Sequence, residues 1–211
     1  MSERRLLRIG LTGGVASGKS TGATALRAHG AAIVDADTIA REVVRPGGPA
    51  YPGIVDAFGP SVIAPDGALD RKALAARVFA EEAARRRLNA LTHPHIRRRM
   101  ADEAARLAAA PENPVIVFDI PLLLDTTDGR DLGLDGIVVV YADPETRVRR
   151  MIARDGLSDE EARRRLAAQV RLEDKVPRAD WVIDNSRTPE ETRAQVDRLW
   201  REWTAGTRGD E

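Results

Sequence analysis

The sequence predicts an α/β protein: a five-stranded parallel sheet with helices on both faces. Three observations carry the prediction. Short apolar runs rich in β-branched residues recur along the chain, helical patterns separate them, and the first run passes straight into a glycine-rich turn. Leu6 to Leu11, broken only by Arg8, reads as a buried strand that Gly13 and Gly14 end, with a helix opening near Gly18. Ala31 to Val34 is the second strand and runs into Asp35-Ala36-Asp37. Prolines and glycines from Pro46 to Gly53 cut the next region into short pieces. Arg71 to Ala110 then reads as the longest helical block, with Ile96, Met100, Ala104 and Leu107 on one face and Pro111 and Pro114 at its end. Residues from about Ile39 to Ala110 therefore form a helical insertion.

Val115 to Phe118 and Ile137 to Tyr141 read as central strands, and Trp181 to Ile183 as a weaker fifth. Asp143 before Pro144 caps a helix that Asp155-Gly156 stops near Arg154. Ser158 with Glu161 is a capping box for a helix through about Asp174. Thr188-Pro189-Glu190-Glu191 starts the last helix, whose Val196, Leu199, Trp200 and Trp203 make a core stripe, with fraying expected beyond Trp203.

In a chain of 211 residues, 33 Lys plus Arg balance 33 Asp plus Glu, so no overall field favours nucleic acid or an anionic membrane, and any anion site must be local. The absence of cysteine removes disulfides and thiolate chemistry and fits a cytoplasmic protein. No apolar run approaches membrane-spanning length.

Gly13-x-x-x-x-Gly18-Lys19-Ser20 has the P-loop pattern and the strand-to-helix context that the pattern requires. Backbone amides from Gly13, Gly14, Val15, Ala16, Ser17 and Gly18 wrap phosphates, Lys19 reaches the β and γ phosphates of ATP, Ser20 ligates Mg²⁺, and Thr21 follows in the helix. The carboxylates Asp35 and Asp37 fall at the end of the second strand, on the sheet edge where ligands bind. One can orient and deprotonate an acceptor hydroxyl and the other can cap the helix; Asp37 is the better candidate base. Arg147, Arg150 and Arg154 share one helix face, as in the hinged arginine lid of a small kinase. Asp119 ends an apolar strand in the Walker B manner and is a candidate metal group, with strand-end capping as its other reading.

"LTGGVASGKST", "VDADTIAREVV", "LNALTHPHIRRRM", "DIPLLLDT" and "ADWVIDN", in this order, resemble the dephospho-CoA kinases from about Arg8 to Trp203. The resemblance implies a P-loop core over 1–38, 111–148 and 179–211, a helical acceptor subdomain over 39–110 and a lid over 149–178. It implies transfer of the ATP γ-phosphate to the ribose 3′-hydroxyl of dephospho-CoA by a monomer or weak homo-oligomer. Asp37 is then the base, Lys19 and Arg150 stabilise the phosphates with Arg154 beside them, and Asn185 lies near the adenine. Arg41, His93 and Leu122 face the acceptor. Asp125 stands where the family usually has glutamate, so its substrate role carries over only weakly, while Asn113 and the loop from Thr126 to Asp131 carry no recognisable signal. A kinase for another small alcohol, a nucleotide-dependent switch and a nucleic-acid binder using Arg97 to Arg99 and Arg163 to Arg165 are the competing readings. No Asn-Lys-x-Asp guanine signature is present.

Overall fold

The computed structural model describes residues 6–110, 114–126 and 132–205; Asn113, residues 127–131 and the tail beyond Ala205 lie outside them. Its sheet contains β1 (Leu7–Gly13), β2 (Ala32–Asp35), β3 (Val115–Asp119), β4 (Gly136–Tyr141) and β5 (Trp181–Asp184) in the order β2-β3-β1-β4-β5. β1 pairs in parallel with β3 and with β4, and β4 pairs in parallel with β5. The chain therefore crosses over β1 on its way from β3 to β4, which makes the carboxyl end of β1 a switch point, where open parallel sheets hold ligands.

Both faces of the sheet are buried, which explains why the strands are apolar without alternation. One face gathers Ile9, Leu11, Val138 and Val140 against Leu26 of α1 (Lys19–Ala28) and Val196 and Trp203 of α10 (Pro189–Ala205). Trp203 is 3% exposed and meets Trp181 edge-on at 5.3 Å, so the last helix docks through its apolar stripe, at about 2 kcal/mol per buried large side chain. The other face packs Ile137 and Val139 on Leu123 and Leu124 of α6 (Leu123–Thr126) and on Leu172 of α9 (Leu172–Lys175). Arg8 is tolerated inside β1 because its guanidinium stacks over Phe118 at 5.0 Å and donates to the Leu132 carbonyl.

Contacts divide the chain into two compact units: one carries the sheet, with boundaries at Val34 and Arg106, and the other is Asp35–Ala105. The second unit is helical, with α2 (Ala36–Val43), α3 (Tyr51–Phe58), α4 (Arg71–Ala80) and most of α5 (Glu82–Ala108). Met100 and Ala104 are buried as their spacing requires, with Ile96 and Leu107 partly so.

Two helical expectations need correction. The block from Arg71 is not continuous: Glu81 is extended, and its carbonyl accepts from Arg85, so it starts α5 afresh. The helix from Ser158 stops at Ala167 rather than Asp174, because the chain leaves the helix and buries Leu172 against the sheet. Only half of the capping box forms there. Ser158 Oγ accepts from the Glu161 amide at 3.2 Å, while the Glu161 carboxylate turns to Arg165. α7 (Pro144–Asp155) begins at the Asp143 cap, whose carboxyl is held below its usual pKa chiefly by the Thr146 amide, and it ends at Gly156 in the left-handed region.

Candidate phosphate-binding site

The loop from Gly13 to Lys19 turns the end of β1 into the start of α1. Gly18 sits at φ 85°, where a side chain is strained, and a Cβ there would also run into the Asn185 amide. Ala16, at φ 57°, is the one described non-glycine residue with positive φ, so the turn holds a backbone that L residues rarely adopt. No side chain caps α1, and in its first turn the Thr21 amide turns back to the Gly18 carbonyl at 2.8 Å.

Three successive carbonyls of the loop, those of Val15, Ala16 and Ser17, are engaged from other elements. Arg147 Nε donates to the Val15 carbonyl at 2.9 Å, and Arg150 Nη1 donates to those of Ala16 and Ser17 at 3.3 Å. Asn185 Nδ2 donates to the Ser17 carbonyl at 2.8 Å, and its Oδ1 accepts from Thr192. Arg150 also reaches the Asn185 carbonyl at 2.8 Å. A carbonyl and the amide across the same peptide bond point opposite ways, so these contacts turn the amides of Ala16 and Gly18 away from the arginines.

A cavity of about 620 Å³ opens over the loop, lined among others by Gly14, Gly18, Lys19, Ser20, Thr21 and Arg154. That is enough room for a nucleotide-sized ligand, and Lys19, Arg150 and Arg154 make the lining cationic. The Lys19 ammonium forms an ion pair with Asp119 at the end of β3.

The arginine stripe separates into three roles. Arg147 is 2% exposed and lies under the loop, with burial lowering its pKa against the opposing pull of Glu173; Arg150 is half-buried on the loop carbonyls. Arg154 is exposed, and Asp155 grips it through both Nε and Nη2, at 2.7 and 2.9 Å. α7 thus packs the first two arginines of the stripe onto the loop and leaves the third exposed. Asn185 lines the cavity and braces the loop beneath Gly18.

In the helical unit, Asp35 is the cap of α2: its two oxygens accept from the Thr38 amide and hydroxyl. Asp37 lies in the first turn and Arg41 one turn on, both exposed. His93 is an exposed residue within α5, neither cap nor core, beside the helix-interior Pro94. Partial desolvation and then the Arg97 charge hold its pKa below 6.5. In the sheet-bearing unit, Leu122 is 55% exposed, and Asp125 forms an ion pair with the buried Lys175. Sequence reasoning missed Arg147 as a support of the loop, and it missed Gln169 and Lys175 altogether. The basic runs are ion-paired helix faces: Arg163 with Glu145 and Asp159, Arg165 with Glu161, and Arg99 with Glu42.

The profile CoaE, described as dephospho-CoA kinase, matches residues 7–191. The chain is 50% identical over 198 residues to the dephospho-CoA kinase of Anaeromyxobacter dehalogenans, covering 94% of this chain and 92% of that protein. It is 49% identical over 192 residues to that of Geobacter sulfurreducens, at 91% and 96% coverage. Among solved structures it resembles the dephospho-CoA kinase from Campylobacter jejuni, with a TM-score of 0.69 at 26% identity, over 94% of this chain and 98% of that one. The phosphate loop at the sheet's switch point thus lies in a chain that this family matches nearly end to end, and the chain belongs to the dephospho-CoA kinase family.

Proposed function

We propose that the chain transfers the γ-phosphoryl group of ATP to the ribose 3′-hydroxyl of dephospho-CoA, giving coenzyme A and ADP in the final step of coenzyme A biosynthesis. The observation that carries the reading is the phosphate loop, pinned by its carbonyls over a cationic cavity, in a chain of this family. The acceptor oxygen forms the new bond to phosphorus as the bond to the β-phosphate oxygen breaks, and the hydroxyl proton passes to Asp37. Both carboxylates are exposed, but Asp35 is occupied as the cap of α2, which makes Asp37 the better placed of the pair to take the proton.

Lys19 exchanges Asp119 for the β and γ phosphates when ATP enters, and its charge then follows the charge that develops in transfer. Arg150 adds a second fixed cation at the cavity wall, while Arg154 must release Asp155 before it can act. Residues 149–178 serve as the lid that excludes water from the reacting phosphate. Arg41, His93 and Leu122 contact the acceptor. Asp125 supports this role least, since its carboxylate pairs with Lys175.

The donor set fits Mg²⁺. That ion keeps several waters and takes one or two carboxylates together with substrate phosphates, and among the described residues no cluster of three or more His, Cys, Asp or Glu side chains offers an all-protein cage. Ser20 and Asp119 would hold it, and it would neutralise phosphate charge. We place the protein in the cytoplasm, as a monomer or weak homo-oligomer acting on small molecules rather than on nucleic acid or membrane; among the described residues no helix is long and apolar enough to cross a membrane.

The test is to incubate the purified protein with ATP and Mg²⁺, with and without dephospho-CoA, and to follow the product mass. Nucleotide consumption that requires dephospho-CoA, with an acceptor one phosphoryl heavier, is the expected result. ATP binding with an unmodified acceptor would contradict the assignment.

A further inference from the structure

Val15 is the residue of the loop that other elements grip most completely. Its carbonyl accepts from Arg147 Nε at 2.9 Å, and its amide donates to Gln169 Oε1 at 3.1 Å, from 154 residues further along the chain. Its side chain, with that of Ala16, packs on a cluster formed by Val148 and Met151 of α7 and Ala162 of α8 (Asp159–Ala167). Arg147 is nearly sealed from solvent, and its Nη2 has no hydrogen-bond partner. That nitrogen lies against Gly14, where a Cβ would stand 2.5 Å from it, so a side chain at position 14 would push on this guanidinium.

From this grip on both sides of Val15 we propose that Gln169 and Arg147 are positioning residues for phosphoryl transfer: together they fix the two peptide planes that meet at Val15 and so hold the loop in its phosphate-binding shape, Arg147 from α7 and Gln169 from just beyond α8. The proposal rests on the reading of the loop as the ATP phosphate site. Neither residue needs to touch the reacting atoms. Gln169 holds the peptide plane that precedes the Val15 Cα and Arg147 the plane that follows it, so neither plane is free to rotate, and the Ala16 amide, which shares its plane with the Val15 carbonyl, keeps a fixed direction. With Gln169 removed, the Val15 amide is left to water and Arg147 restrains the loop from one side only.

Gln169 is itself exposed, so replacing it tests positioning without disturbing the core. The experiment compares wild type, Gln169→Leu, which removes the acceptor, and Gln169→Glu, which keeps one. Amide hydrogen exchange at Val15 is read in the unliganded protein, and the ATP Kd is read by calorimetry. Gln169→Leu is expected to expose Val15 to fast exchange and to raise the ATP Kd about fivefold, the scale of one net hydrogen bond, with an unchanged melting temperature. Gln169→Glu is expected to restore Val15 protection. Arg147→Met is a second arm, expected to weaken ATP binding further; if that variant fails to fold, the Gln169 pair decides alone. Wild-type exchange or wild-type ATP affinity in Gln169→Leu would overturn the proposal. Wild-type protein that fails to bind ATP would instead overturn the phosphate-site reading on which it rests.

Discussion

The carbonyls of Val15, Ala16 and Ser17 are held by Arg147, Arg150 and Asn185, whereas Asp37, Arg41 and His93 stand exposed on helices of the other unit. The first arrangement is preorganised: its hydrogen bonds are made before a ligand arrives, so little reorganisation accompanies phosphate binding. The second is solvated, with its side chains exposed on the helices. The same contrast appears in the ion pairs. Lys175 and Asp125, in the sheet-bearing unit, are 3% and 16% exposed, while Arg99 and Glu42, in the helical unit, are 48% and 43% exposed at 3.7 Å. One half holds its groups in place with internal partners, and the other leaves its groups in water.

The largest effect should follow from breaking the preorganised half at its charge. Lys19→Ala is expected to lower kcat by about 10²–10³, the scale of removing one fixed electrostatic group, in steady-state assays with dephospho-CoA. Next come the ion pairs. Lys175→Met strands the carboxylate of Asp125 and is expected to cost about 3 kcal/mol in denaturant unfolding. Arg99→Ala, at the exposed pair, should cost under about 1 kcal/mol. Equal losses at the two sites would dissolve the comparison.

The smallest effect is at His93. Its imidazole should titrate below 6.5 by NMR, and Arg97→Ala should move it back toward that value. The folded form resists this proton, so the contribution to stability is complete above pH 6.5 and fades as pH falls below it, less steeply once Arg97 is gone.

Much of this was legible in the sequence because it is local. Val115 to Phe118 and Ile137 to Tyr141 announced buried strands by their β-branched runs, and the Gly13 to Ser20 spacing announced the phosphate loop. Asp143-Pro144 and Gly156 marked both ends of α7. The missed features depend on tertiary partners. The stripe of Arg147, Arg150 and Arg154 could be read from periodicity, but which of the three would sink under the loop depends on where α7 docks. Gln169 and Lys175 carry no motif, and each acquires its role from a group far away in the chain, the Val15 amide and the Asp125 carboxylate. The early end of the helix at Ala167 has the same origin, since no glycine or proline stops it and the burial of Leu172 does.

If the nucleotide half is complete in itself and Asp37 serves only the acceptor, ATP binding and transfer should separate in a single variant. The measurement that tests this most directly is the ATP Kd of Asp37→Asn beside its rate of dephospho-CoA phosphorylation. Wild-type ATP affinity with turnover reduced by about 10²-fold or more is the expected result. Undiminished turnover, or an ATP affinity that falls in step with the rate, would contradict it.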